Sequence, residues 1–318
     1  MQFNEAQQEA VDFYQGPCLT LAGPGSGKTA VITHRTKNLI EKYGVSPSEI
    51  LVVTFTKAAA MEMKERFLSL TNQTSTTATF GTFHAVFFTV LKYAYHYRAE
   101  NIIRDEQKVV FIRNLLRHFP IDYEDENECI QTLLSEIGGV KNSNIPIEHY
   151  YSSNFPEHTF RDVFMNYQKM LQKNRLIDFD DMLVYTYELF SQRKDILALW
   201  QKKFRYILID EFQDINGLQY EIIRMLAAPE NNLFVVGDDD QSIYRFRGSK
   251  PEIMLGFQKI YPQAKIVNLE VNYRCEPPIV EAAMRLIAHN EERFPKKIRA
   301  GKSGKQKVRL QYFEDCYK

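Results

Sequence analysis

Cysteine is scarce in this sequence, and its positions do not indicate a structural role. The four cysteines, Cys18, Cys129, Cys275 and Cys316, lie far apart and form no CxxC pair. A small disulfide-stabilised fold needs densely spaced cysteines, and a structural zinc site needs ligands in close pairs. The pattern argues against both and indicates a reducing compartment. We therefore expect a cytoplasmic protein.

Long apolar runs are absent as well. No stretch approaches the roughly 20 apolar residues of a membrane-spanning helix. The first residues, MQFNEAQQEA, lack the apolar core of a signal peptide. Apolar residues make up 44% and charged residues 25% of the 318 positions. These proportions are typical of a globular protein without a membrane partner, long enough for one large domain or two ordinary ones.

An excess of charge of either sign is also missing. The sequence has 40 basic and 40 acidic residues, so no overall field attracts a polyanion and any affinity for nucleic acid must arise locally. Residues 293–309 hold eight basic residues and no acidic one, and residues 122–128 hold five acidic ones. A solvated surface is the commoner meaning of such runs.

Strand and helix patterns alternate near both ends of the sequence but not in the middle. Apolar runs predict strands at residues 18–21, 50–55, 77–80, 206–209, 233–236 and 266–269. Helical spacing alone is found between residues 104 and 193, for example at 107–118, 128–137 and 160–173. We predict an α/β domain with a parallel sheet, formed by residues 1–103 and 194–275, into which residues 104–193 insert an all-helical subdomain.

A glycine-rich segment, AGPGSGKT at residues 22–29, follows the first predicted strand and precedes a predicted helix. Its backbone N–H groups can surround a polyphosphate, Lys28 can reach the β- and γ-phosphates, and the Thr29 hydroxyl can ligate Mg²⁺. The helix N-terminus adds its positive dipole. Only Ala22 departs from the consensus, which begins with glycine. We predict nucleoside triphosphate binding by Gly23, Gly25, Ser26, Gly27, Lys28 and Thr29.

Two carboxylates follow the predicted strand at residues 206–209, namely Asp210 and Glu211. Open parallel sheets bind ligands at the carboxyl ends of their strands. Asp210 would hold Mg²⁺ through its water shell, and Glu211 would orient and deprotonate an attacking water. A surface acidic turn is the simpler alternative, although four apolar residues seldom lead into one.

The predicted strand at residues 233–236 ends in GDDDQ. Gln241 is neutral and both donates and accepts hydrogen bonds, so it could sense a γ-phosphate. The segment that follows, SIYRFRG, would place Tyr244 and Phe246 on one side if it is extended, with arginines on the other. Bases stack on aromatic rings and phosphates pair with cations in single-stranded nucleic-acid sites. Taken alone, YRFRG would more often be a half-buried loop.

The predicted strand at residues 266–269 runs into Asn272-Tyr273-Arg274. Arg274 could neutralise charge on a transferring phosphoryl group, as an arginine finger supplied in cis. Tyr273 offers a ring for stacking on the base of the nucleotide. An isolated NYR would carry no weight, but here it follows the other two loops.

Together and in this order, these segments resemble the superfamily 1 helicases of the UvrD/Rep/PcrA group. Residues 3–7, FNEAQ, are similar to the adenine-reading motif of that family, which implicates Gln7. Residues 54–66 and 81–84 resemble motifs that contact single-stranded DNA. The DNA-binding residues implied by these motifs are Thr54, Phe55, Thr82 and His84. Phe246 stands where the family often has Trp, so its stacking surface would be smaller.

The resemblance implies a RecA-like P-loop NTPase domain that uses ATP and Mg²⁺ in a 3′–5′ DNA helicase. The implied catalytic residues are Lys28, Glu211, Gln241 and Arg274, and the implied partners are single-stranded DNA and duplex junctions. Family members carry a second RecA-like domain, with KGLE-type and VGITRA-type motifs that this sequence lacks. We expect residues 276–318 to begin that domain, with a helix at 277–292 and a strand at 308–312. The chain is expected to be the front portion of a longer helicase and to have little activity alone.

Two other functions remain open at this point. One is a nucleic-acid-binding or regulatory module that holds ATP without hydrolysing it, which the absence of a second arginine motif favours. The other is a small-molecule P-loop kinase, which would leave GTFH, YRFRG and the helical insertion unexplained. The sequence leaves open whether the pathway is repair, replication or recombination.

Overall fold

A six-stranded parallel sheet forms the centre of the computed structural model, which describes residues 2–119, 123–143, 145–243, 249–304, 309 and 311–312. In chain order the strands are β1 (Cys18–Ala22), β2 (Ile50–Thr54), β3 (Thr79–Thr82), β4 (Tyr206–Ile209), β5 (Leu233–Gly237) and β6 (Lys265–Leu269). Their order across the sheet is β3-β2-β4-β5-β1-β6, and every pair is parallel. The predicted parallel α/β sheet is confirmed.

Helices cover both faces of the sheet. The helices of the described chain are α1 (Glu5–Asp12), α2 (Lys28–Glu41), α3 (Lys57–Thr71), α4 (Phe83–Tyr95), α5 (Asp105–Leu116), α6 (Glu126–Ser143), α7 (Glu157–Lys173), α8 (Phe179–Gln192), α9 (Lys194–Lys203), α10 (Gly217–Ala227), α11 (Pro251–Leu255), α12 (Phe257–Ile260) and α13 (Pro277–Ile287). Successive strand residues point to opposite faces. Leu208 therefore packs in one apolar core with α1, α2 and α3, and Ile209 in another with α4, α8, α9 and α10.

Helices α5, α6 and α7 pack around an apolar core of their own, which includes Ile112, Ile137 and Phe164. The chain leaves for these helices and returns at adjacent points, because Ile102 and Ile177 form a parallel bridge. Helix α8 instead packs its buried apolar side chains into the core beside the sheet. The domain limits given above remain predictions.

Some element boundaries differ from the predicted ones. Helix α6 continues to Ser143, beyond the predicted end at residue 137, through two glycines. A Cβ on Gly138 would lie 2.9 Å from Oδ2 of Asp180, so glycine allows α8 to approach closely. Helix α13 ends at Ile287, not at residue 292. The strand expected at 308–312 falls partly outside the described residues.

A second sheet has only two short strands. Strand β7 (Val271–Asn272) pairs in parallel with β8 (Arg299–Ala300), which brings the segment after α13 back to the sheet edge. Among the described residues, no helix combines the length and apolar character needed to cross a membrane.

Candidate active site

The predicted phosphate loop lies at the carboxyl edge of the sheet, between β1 and α2. Gly25 and Gly27 have φ angles of 65° and 86°, in the left-handed region that strains residues with a Cβ. A Cβ on Gly25 would also lie 2.6 Å from the Cβ of Arg274. Backbone geometry and space thus both require glycine at position 25, and Arg274 sits directly beside the loop.

Glu211 reaches this loop from the end of β4. Its backbone is left-handed, with φ at 51°, which is uncommon for a residue other than glycine and concentrates at functional sites. Lys28 donates a hydrogen bond from Nζ to Oε2 of Glu211 at 2.9 Å. Burial would raise the pKa of Glu211, but the Lys28 charge and a hydrogen bond from Gln213 hold that pKa below its usual value. Glu211 is therefore an ionised carboxylate at neutral pH.

Asp210 is buried beside Glu211, and its Oδ1 has no hydrogen-bond partner among the described residues. Burial and the charge of Glu211 raise the pKa of Asp210 to about 6. A buried polar oxygen without a partner is costly unless something else binds it. A hard cation such as Mg²⁺ prefers oxygen ligands of this kind. The donor at Asp210 therefore fits the predicted metal.

Thr29, the other predicted metal ligand, is the second residue of α2 and is half-buried. Within the described ranges, no group of three or more His, Cys, Asp or Glu side chains lies close enough together to hold a metal ion. Mg²⁺ commonly keeps several waters and uses one or two carboxylates together with substrate phosphates. The sparse protein donors are compatible with such a site.

Gln213 is a site residue that the sequence analysis missed. Its amide is 2% exposed and donates from Nε2 to Oε2 of Glu211 at 3.0 Å. Its Oε1 accepts a hydrogen bond from the backbone N–H of Asp238 at 3.0 Å. Gln213 thus links the carboxylate after β4 to the loop after β5. Its place within DEFQD was the available signal, since it is the one neutral amide in that segment.

The loop after β5 holds Gln241 in a 3₁₀ turn, Asp239–Gln241. Gln241 donates from Nε2 to Oδ2 of Asp238 at 2.7 Å, and from its backbone N–H to the Asp238 carbonyl at 2.9 Å. Asp238 is fully buried. The orientation of Gln241 therefore depends on Asp238, while its role as a γ-phosphate sensor stays a prediction.

The residues predicted to contact the nucleotide base converge on the phosphate loop. Gln7, 2% exposed, donates from Nε2 to the backbone carbonyl of Ser26 at 2.8 Å. Tyr273 donates from its backbone N–H to the carbonyl of Gly25 at 2.9 Å, and its hydroxyl accepts a hydrogen bond from Nδ2 of Asn4 at 2.9 Å. The Tyr273 side of the site is open, since this residue is 42% exposed.

The predicted DNA-contacting residues are only partly brought together. Phe55 and His84 line one cavity of about 310 Å³, whose other lining residues are Thr56, Asn142, Asp180, Leu183, Asp214, Asn216 and Gln219. The Thr54 side chain is buried, and the Thr82 hydroxyl caps α4 by accepting from the N–H of Ala85. Tyr244 and Phe246 lie outside the described residues.

Comparison with known proteins agrees with this arrangement. A family model described as the UvrD/REP helicase N-terminal domain matches residues 3–262. YjcD of Bacillus subtilis (strain 168) is 41% identical over 308 residues, covering 94% of this chain and 40% of that protein. The ATP-dependent DNA helicase PcrA of Staphylococcus epidermidis is 36% identical over 329 residues, covering 98% and 43%. PcrA of Bacillus subtilis is 38% identical over 301 residues, covering 93% and 40%.

The chain thus spans about two fifths of the length of these curated relatives. The family match covers most of the residues that form the sheet and the inserted helices. It includes the phosphate loop, both carboxylates after β4 and the loop after β5. This chain belongs to the UvrD/REP helicase family, of which it carries the N-terminal domain.

Proposed function

We propose that this chain is the ATP-binding and single-stranded-DNA-binding portion of an ATP-dependent DNA helicase. One observation carries the proposal: Lys28 of the phosphate loop and Glu211 after β4 meet at 2.9 Å, at the sheet edge where P-loop enzymes bind nucleotide. The PcrA relatives are named ATP-dependent DNA helicases, which supports the same activity here. The 3′–5′ direction and the preference for duplex junctions follow from the family likeness.

Each residue of the site has a distinct part in the proposed hydrolysis. When ATP binds, the Lys28 ammonium leaves the Glu211 carboxylate and pairs with the β- and γ-phosphates. The Glu211 carboxylate then accepts the proton of the attacking water. Gln241 contacts the γ-phosphate, and Arg274, which lies against Gly25, neutralises charge on it. Mg²⁺ bound with the nucleotide would neutralise phosphate charge, and the residues that would hold it are Thr29 and Asp210. Gln7 and Tyr273 would flank the base.

We expect nucleotide binding to depend on Lys28. Replacing Lys28 by alanine removes a charge-assisted hydrogen bond worth about 1.5–3 kcal/mol, so the Kd for a labelled ATP analogue should rise about ten-fold to a hundred-fold. Lys37→Ala is the matched control, since Lys37 lies on the same helix and pairs with Glu41 away from the loop. Equal binding by Lys28→Ala and the control would contradict the proposed phosphate site.

The cavity at Phe55 and His84 is proposed to receive a base of single-stranded DNA. Burial, together with the charge of Asp178, raises the pKa of Asp180, and burial with the charge of Glu211 raises that of Asp214 to about 6. Burial lowers the pKa of His84, so that ring is neutral at pH 7. The lining contains no lysine or arginine to attract a phosphate, and the Phe55 ring offers a surface on which a base can stack.

Replacing Phe55 by alanine should weaken binding of a single-stranded oligonucleotide about five-fold or more, because a stacked base is worth about 1–3 kcal/mol. The affinity of the wild-type protein for the oligonucleotide should fall as the salt concentration rises, since phosphate contacts release counterions. Tyr151→Ala serves as the control, because Tyr151 is an exposed ring on the helical insertion, away from the cavity. Oligonucleotide titrations that give the same Kd for both variants would reject this cavity as part of the DNA path.

The domain arrangement and location are also proposals. We propose that residues 1–103 and 194–275 form the first RecA-like domain, residues 104–193 a helical subdomain, and residues 276–318 the start of a second RecA-like domain. The separate core of α5, α6 and α7 supports the second of these. A protein that acts on DNA in this way would work in the cytoplasm.

A further inference from the structure

The chain after α13 returns to the candidate active site and contacts the loop after β5. We name residues 293–301 the return segment and residues 238–241 the sensor loop. Lys296 places Nζ 2.6 Å from Oδ1 of Asp238, 2.6 Å from Oδ1 of Asp239 and 2.7 Å from Oδ2 of Asp240. Arg293 binds both oxygens of Asp240, at 2.7 and 2.6 Å. Two basic residues of the return segment therefore hold three consecutive carboxylates.

This contact lies inside the protein. The side chains of Lys296 and Asp239 are each 2% exposed, and that of Asp238 is fully buried. Burial alone would lower the pKa of Lys296, but the three carboxylates hold that pKa above its usual value. Charges buried to this degree persist only with close partners. Arg293 and Lys296, although they begin a basic run, are thus not part of a solvated basic surface.

The ion cluster extends to Gln241 through Asp238. One carboxylate oxygen of Asp238 binds Lys296, and the other accepts the Nε2 hydrogen bond of Gln241 at 2.7 Å. Because one N–H of Nε2 is engaged by Asp238, the amide is held in one orientation, which leaves its oxygen to accept a hydrogen bond from a water and its second N–H to donate to a phosphate. A glutamine oriented in this way is suited to position an attacking water at a γ-phosphate.

The return segment also touches the other sides of the site. A Cβ on Gly23 of the phosphate loop would collide with the side chain of Ile298. Strand β8 of the segment pairs with β7, directly before Tyr273 and Arg274, and Gly301 donates to the Asn272 carbonyl at 2.8 Å. One short segment is therefore in contact with the phosphate loop, the sensor loop and the strand that precedes Arg274.

We propose that Lys296 is a positioning residue for ATP hydrolysis: by fixing Asp238, it holds the Gln241 amide in the orientation that hydrolysis requires. The inference rests on the proposed function, since it assigns a role within the same reaction. Lys296 does not touch the nucleotide in this scheme. It acts through Asp238 and Gln241, so it should affect turnover and not nucleotide affinity.

The test uses the full-length protein that carries this chain, with ATP turnover and binding of a fluorescent ATP analogue as readouts. Lys296→Met should lower kcat about ten-fold or more and leave the Kd of the analogue within about two-fold. In a Gln241→Ala background the same substitution should cause no further loss, because its effect passes through Gln241. Lys297→Met is the matched control, since that neighbouring side chain is exposed.

A second variant, Lys296→Met combined with Asp239→Asn, separates the positioning role of Lys296 from the effect of its charge on the buried carboxylates. The pair removes one charge of each sign, and asparagine keeps an oxygen for the Phe294 N–H that Asp239 now accepts. If Lys296 acts by positioning Asp238, kcat should stay low in the double variant. Recovery of kcat, or a double variant that does not fold, would overturn the inference. An unchanged protein that does not hydrolyse ATP would instead contradict the proposed function.

Discussion

Replacing Glu211 by glutamine should lower ATP turnover about 10²–10⁴-fold while nucleotide binding is kept, because the variant loses the proton acceptor and retains Asp210. Binding should even tighten slightly. In the nucleotide-free protein the Lys28 ammonium is paired with the Glu211 carboxylate at 2.9 Å, and ATP must displace that contact. A neutral amide competes less strongly for Lys28.

The measurement is single-turnover phosphate release by the full-length protein, together with titration of a labelled ATP analogue. Glu221→Gln is a suitable control, because Glu221 is a surface carboxylate on α10 whose partner is Arg224. Turnover by Glu211→Gln equal to that of the control would remove Glu211 from the role of base. A parallel loss of analogue binding would instead indicate a damaged site.

The second large effect concerns Lys141, which is buried where α6 meets α8. Its Nζ lies 2.5 Å from Oδ2 of Asp178 and 2.7 Å from Oδ1 of Asp181, and all three side chains are at most 5% exposed. Tyr167 donates to the same oxygen of Asp178 at 3.2 Å. Lys141→Met should cost about 3–5 kcal/mol in the free energy of unfolding, because two buried carboxylates lose their cation.

Urea unfolding of Lys141→Met and Lys173→Met tests this, since Lys173 is exposed at the end of α7. The control should lie within about 0.5 kcal/mol of the unchanged protein.

Burial and the charge of Asp178 raise the pKa of Asp181 to about 6, whereas Lys141 holds the pKa of Asp178 below its usual value.

The cost of Lys141→Met should shrink as pH is lowered from about 8 to about 5. The Asp178–Lys141 contact persists in the unchanged protein across this range, because the depressed pKa of Asp178 lies below it. In the variant, uptake of a proton by Asp181 relieves the unpaired charge. A cost no greater than that of Lys173→Met, or one that grows towards low pH, would contradict this account.

The parts of the site that were predicted from sequence are those encoded within a few residues. The phosphate loop and the carboxylates after β4 are each contiguous with a strand, and parallel strands bring their carboxyl ends to one edge. The sequence alone is therefore sufficient to expect a contact between Lys28 and Glu211, which are 183 residues apart.

The missed contacts depend on partners distant in sequence. Lys296 lies 58 residues from Asp238 in the sequence. The basic residues around Lys296 indicate a solvated surface when the sequence is considered alone, because only the fold brings the carboxylates beside it. Strand β3 begins two residues later than predicted, because its register is set by pairing of Thr79–Thr82 with β2 rather than by its own apolar pattern. Gln213 was passed over because one buried amide leaves no periodic signal.

The bridge between Ile102 and Ile177 bears on how chains of this kind change in length over evolutionary time. Ile103 donates to the Ile177 carbonyl at 3.0 Å, and Ile177 donates to the Asn101 carbonyl at 2.8 Å. With the two ends of the segment held side by side, the connections between helices α5, α6 and α7 can grow or shrink at a cost in closure entropy that rises only slowly with length. Among related proteins, insertions and deletions should therefore accumulate between the positions of Ile102 and Ile177, while the strands on either side keep their register.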